Sequence, residues 1–231
     1  MGARTFIVVG GTSGLGQEVA RRLVAEDQVV IFGDVASEVA ATADDLGCTG
    51  IACDISLYPE VRDAFAEVVQ RHGGIDGVAD CASMWGGGDL AELSPERIRR
   101  VVEVNALGTT YVLREALHHL HRQGFGNVVY VGALAVTKPR PGIPLYRATK
   151  SYGNSLVESL AEAQHSNRIK VMQLHPGPMP TRLQERVGDR FLDEVYALPE
   201  QVAAEVVRLL RLAPDALYVS GEQVLRADGR W

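Results

Sequence analysis

An apolar run, Thr5–Val9, leads directly into Gly10-Gly11-Thr12-Ser13-Gly14-Leu15-Gly16, after which Leu15, Val19, Leu23 and Val24 recur with a helical period. A strand, a glycine-rich turn and a helix in that order constrain the chain more than any other feature. Glycines permit positive φ and let the backbone approach a phosphate, while the first turn of a helix presents unpaired N–H groups and the positive end of its dipole. An anion such as a pyrophosphate is the natural occupant of Gly10, Thr12, Ser13, Gly14, Leu15 and Gly16. The same turn also serves to pack a strand against its helix.

Further short apolar runs follow at Val29–Phe32, Gly50–Cys53, Gly77–Asp80, Val128–Val131 and Val171–Leu174, with helical patterns between them. The runs are near-continuous, as expected of strands covered on both faces. Their alternation with helices predicts an α/β fold of the Rossmann type: a doubly wound parallel sheet flanked by helices. No repeat, low-complexity tract or linker divides residues 1–231, so one domain is expected. Ser94-Pro95 opens a helix reaching Arg122, closed by Gly124, and Pro199 opens another reaching Leu212. Leu113, Leu117 and Leu120 form an apolar stripe that suits either the core or a subunit contact. Asp34 closes the second strand, where a carboxylate accepts the hydroxyl protons of an adenosine ribose and repels a 2′-phosphate. That favours NAD over NADP. Asp34 is equally placed to cap a helix over Ser37–Leu46.

A net charge of −6 and the lack of a basic run speak against nucleic acid and anionic membrane as partners. No apolar stretch reaches the roughly 20 residues a bilayer span needs, and no signal-peptide pattern opens the chain, so a cytoplasmic location is expected. Cys48, Cys53 and Cys81 show neither a disulfide framework nor zinc spacing. The helical His118, His119 and His121 lack a companion Cys or carboxylate at useful spacing, and no metal is expected.

Tyr146 and Lys150 stand four residues apart, which on a helix places both side chains on one face. A cation beside a phenol favours phenolate and predicts a lowered Tyr146 pKa, suited to exchanging a proton with an alcohol or carbonyl. With the glycine turn, this pair makes the chain resemble the short-chain dehydrogenase/reductase family in its compact form. The resemblance runs through nearly the whole chain. It implies that Asp54, with Ile55, contacts the adenine and that Cys81 and Ala82 line the cofactor cleft. It also implies that Asn105 orients a water joining Lys150 to solvent, and that Pro176, Gly177 and Thr181 close over the nicotinamide. The stretch from Gly221 to Gly229 resembles the family's last strand and tail.

Departures qualify the chemistry. Val9 replaces the usual leading Thr of the glycine pattern. Ala133 stands thirteen residues before Tyr146, where the family places its catalytic Ser, and alanine donates no hydrogen bond. Thr137 and Ser83 are the hydroxyls first expected to compensate. After the fourth strand the family's Asn-Asn-Ala-Gly reads Asp80-Cys81-Ala82-Ser83. Trp85 suits either a substrate stack or a cover for the core. Arg182, Leu183, Arg186, Val187, Phe191 and Leu192 suit an amphipathic lid or an ordinary surface helix.

The resulting expectation is an NAD-dependent oxidoreductase, with NADP the less favoured cofactor. It transfers a hydride to or from a small-molecule secondary alcohol or ketone, with Tyr146, Lys150 and Asn105 catalytic. The resemblance further implies a homodimer or homotetramer. Ala133 keeps open an alternative: a non-redox isomerase, dehydratase or cyclase of the same fold, or a silent NAD-binding protein.

Overall fold

Alternate residues of each apolar run face opposite sides, which is why the runs lack polar positions. In β1 (Thr5–Val9), Phe6 and Val8 enter one core while Ile7 and Val9 enter the other. β2 (Gln28–Gly33) repeats this division, with Val29 and Ile31 on one face and Val30 and Phe32 on the other. The computed structural model describes residues 3–137, 139, 141–164, 168–181, 197–216 and 222–225. The expected lid from Arg182 to Leu192 lies outside them.

β3 (Thr49–Ala52), β4 (Gly77–Asp80), β5 (Gly126–Val131), β6 (Ile169–Pro176) and β7 (Glu222–Leu225) complete a seven-stranded sheet in the order β3-β2-β1-β4-β5-β6-β7. Every pairing is parallel. β7 falls inside the tail expected between Gly221 and Gly229.

One face is covered by α1 (Gly14–Leu23), α2 (Ala36–Leu46) and α7 (Pro199–Leu210). The other is covered by α3 (Tyr58–His72), α5 (Thr109–Gln123) and α6 (Pro144–Ala163). This is the doubly wound arrangement the sequence predicts. Leu113, Leu117 and Leu120 all lie in the second core, so the stripe belongs to the interior.

The helix expected from Ser94 to Arg122 is three pieces: α4 (Pro95–Val102), a π-helical segment (Glu103–Gly108) and α5. Ser94 caps the first by accepting from the Arg97 N–H at 3.2 Å. A wider turn re-aims the side chains within it, and here it buries Asn105. Among the described residues no helix is long and apolar enough to cross a membrane.

Candidate active site

Strand order reverses between β1 and β4, and at their carboxyl ends opens a cleft of about 530 Å³. Its floor is the glycine turn. Gly10 has φ +72, and a Cβ there would sit 2.9 Å from the Ala82 backbone. A Cβ on Gly16 would meet the Gly10 carbonyl oxygen at 2.1 Å, so only glycine lets α1 begin this close to the turn. The Ser13 side chain makes no capping bond, which leaves the first N–H groups of α1 unspent. These features fit the pyrophosphate of a dinucleotide.

Asp34 lines the cleft just beyond β2. The N-cap residue of α2 is Val35, which makes no side-chain capping bond, so the capping role open to Asp34 is not the one the fold uses. Glu38, in the first turn of α2, adds a second carboxylate to the same wall. Asp54 and Ile55 lie opposite with Arg100, whose guanidinium reaches Asp54 Oδ2 at 2.8 Å and Ser56 Oγ at 2.5 Å. Burial pushes the Asp54 carboxyl upward, but bonds from Arg100 and Ser56 outweigh it and the pKa is lowered.

At the far end of the cleft, α6 presents Tyr146 and Lys150. Lys150 is 2% exposed and donates to the Val131 carbonyl at 2.9 Å, with its ammonium 5.1 Å from the centre of the Tyr130 ring. Burial draws its pKa down to about 8, against the charge of Asp80 and then Cys81. Asp80 is 0% exposed, and burial raises its carboxyl against Lys150 and Thr109. The lowering of Tyr146 by Lys150 is not what the structure shows. Burial raises the phenol, and the group that opposes it is the Ser83 hydroxyl.

Ala133 packs against the cluster of Tyr146, Ile143 and Ala135, and Trp85 covers the same cluster with its ring 5.0 Å from that of Tyr146. Trp85 therefore packs on the phenol from within the cleft wall. The Ala133 N–H donates to His175 Nδ1 at 3.2 Å. His175 is buried at the end of β6, where burial and then Lys150 hold its pKa at about 4. Its ring uses space that Gly132 leaves open: a Cβ there would lie 2.2 Å from Nδ1.

Every expected cofactor residue lines this cleft: Gly10, Thr12, Ser13, Gly14, Leu15, Gly16, Asp34, Asp54, Ile55, Cys81, Ala82, Tyr146, Lys150, Pro176, Gly177 and Thr181. Asn105 does not. Its amide donates to the Met84 carbonyl at 2.9 Å and to Thr149 Oγ at 3.1 Å, and accepts from the Met84 N–H at 2.7 Å. These bonds brace the chain beyond β4. Thr137 is exposed and spends its hydroxyl on the Leu134 carbonyl, which removes it as a substitute donor. Burial pushes the Cys81 thiol far up, the opposite of a nucleophile's requirement. Sequence reasoning missed Glu38 and Arg100, which local pattern does not mark because only the fold carries them to the cleft.

A family model described as short chain dehydrogenase matches residues 4–190. The chain is 29% identical over 229 residues to carbonyl reductase family member 4 of Xenopus tropicalis, covering 96% of this chain and 95% of that one. A solved short-chain type dehydrogenase/reductase from Mycobacterium ulcerans superposes with a TM-score of 0.86 at 28% identity, covering 96% and 87% of the two chains. A variant of actinorhodin polyketide ketoreductase, solved with NADPH, gives a TM-score of 0.88 at 26% identity, covering 96% and 95%.

Proposed function

The chain belongs to the short chain dehydrogenase family, and on that premise we propose that it is an NAD(H)-linked oxidoreductase interconverting a small secondary alcohol and its ketone. The observation that carries this reading is the convergence of three parts on one cleft: the glycine cradle, the Asp34 carboxylate, and the Tyr146–Lys150 face of α6.

Bound NAD supplies a hydride acceptor at C4 of the nicotinamide. The Tyr146 oxygen, as phenolate, takes the proton of the substrate hydroxyl while the carbinol carbon gives up its hydride, and the reverse direction returns both. Lys150, one turn further along the same helix, would hold the nicotinamide ribose hydroxyls. Trp85 and Ile143 keep the phenol dry on its ring face. Asp34 and Glu38 place two carboxylates where a 2′-phosphate would be repelled, which favours NAD over NADP. The NADPH of the polyketide ketoreductase structure belongs to that protein.

Ala133 supports a second reading in which the cofactor is retained for structure in a non-redox reaction, because the cleft wall offers no hydroxyl there. Calorimetric titration with NAD, NADH, NADP and NADPH, followed by assay against ketones and secondary alcohols, separates the two. Tight NAD binding with turnover supports the redox reading. Tight binding without hydride transfer in either direction supports the second.

A further inference from the structure

Ser83 is pinned on both sides. The preceding N–H, of Ala82, donates to Asp80 Oδ1 at 3.3 Å, and the following residue, Met84, has its N–H and carbonyl both held by Asn105. Between these anchors the Ser83 Oγ is buried and closes no hydrogen bond of ordinary geometry among the described residues. A buried hydroxyl left so is costly and calls for an explanation. Ser83 lines the cleft with Tyr146, whose ring is held by Trp85 two residues further along the same segment.

We infer that Ser83 is a positioning residue for Tyr146, its hydroxyl turning to donate a hydrogen bond to the phenolic oxygen when that oxygen carries negative charge. This rests on the acid/base reading of Tyr146 and adds to it the group that stabilises the base form. With its Oγ buried, Ser83 acts on the chemistry through the phenol. As the substrate proton moves to the Tyr146 oxygen, the Ser83 proton stays on its own oxygen and only the hydrogen bond weakens. The direction of the effect agrees with the geometry, since Ser83 opposes the upward push of burial on the phenol. The other titratable groups around Tyr146 are Lys150 on α6, Tyr130 on β5 and, behind them, Asp80 on β4 and His175 on β6. Of these only Tyr130 carries a hydroxyl, and it faces Gly153 of α6, where a Cβ would lie 2.3 Å from it.

The test uses the full chain carrying tyrosines labelled at Cζ, with the Tyr146 resonance assigned by its loss in Tyr146→Phe. In the cofactor-free protein, Ser83→Ala is expected to move the Tyr146 titration further alkaline, and Ser83→Thr, which keeps the hydroxyl, to restore it. In alcohol oxidation Ser83→Ala is expected to lower kcat at neutral pH about tenfold, with KM unchanged and the rising limb of the pH profile displaced upward. An unmoved Tyr146 titration together with an unmoved pH profile overturns the inference. So does a rise in KM at constant kcat, which would place the hydroxyl on substrate. Retained turnover in Tyr146→Phe sinks the acid/base reading instead, while the resonance of Tyr146 still reports on its contact with Ser83.

Discussion

Tyr146 is 7% exposed and meets Trp85 and Ala133, so the chemistry of its hydroxyl depends on few neighbours. Replacing it with Phe removes the proton exchange and leaves the glycine cradle intact. Tyr146→Phe is expected to lower kcat by about 10²–10⁴ while calorimetry shows NAD still held by the glycine cradle. Ala133 has extended backbone, φ −156 and ψ 145, which serine adopts without strain. Ala133→Ser restores a second donor to the substrate oxygen and is expected to raise kcat at least about tenfold, read in the same assay. At this scale the sequence was readable where spacing carried the signal, as in Tyr146–Lys150 and the glycine turn. It named Ser83 as a substitute hydroxyl and Asn105 as part of a relay, but not the contact 21 residues apart in the chain, Asn105 to Met84, that braces the segment carrying Ser83. It also misjudged the sign of the Tyr146 shift, because burial is a property of the fold and not of spacing.

The elements behave as units whose ends meet at the cleft. The approach of α1 to the turn depends on Gly16, because a Cβ there would overlap the Gly10 carbonyl oxygen. Gly16→Ala is expected to destabilise the protein by about 1–3 kcal/mol in urea unfolding and to weaken NAD binding, since the helix must shift away from the phosphate site. The end of β6 is braced to the segment after β5 through His175 and the Ala133 N–H. The pKa of His175 is about 4 in the fold against an ordinary 6.5, so below 6.5 the unfolded chain takes up a proton that the folded one refuses. Stability is therefore expected to decline as pH falls from about 6.5 to 4, and His175→Asn to remove that component of the slope in parallel unfolding curves. Strand positions were legible because the apolar runs had to serve two cores. The break of one expected helix into α4, a π segment and α5 was not, because no Pro or special motif marks Glu103–Gly108.

For the whole molecule, parallel order and helix covering on both faces put the β1/β4 crevice where a dinucleotide lies, and this much followed from the alternation of strands and helices. Carboxylates at Asp34 and Glu38 predict at least about tenfold weaker binding of NADP than NAD, measured by calorimetry, and a narrowed gap in a double Asp34→Ser, Glu38→Gln variant. The apolar stripe that suited a subunit contact proved to be interior, which leaves assembly without an independent sign in the residue pattern. The central claim is hydride transfer with Tyr146 as the proton carrier. It is tested most directly by following nicotinamide absorbance with a panel of secondary alcohols and ketones, comparing wild type with Tyr146→Phe. The account predicts turnover in the wild type that falls away in the variant. No hydride transfer in either direction, or equal rates in the two proteins, would contradict it.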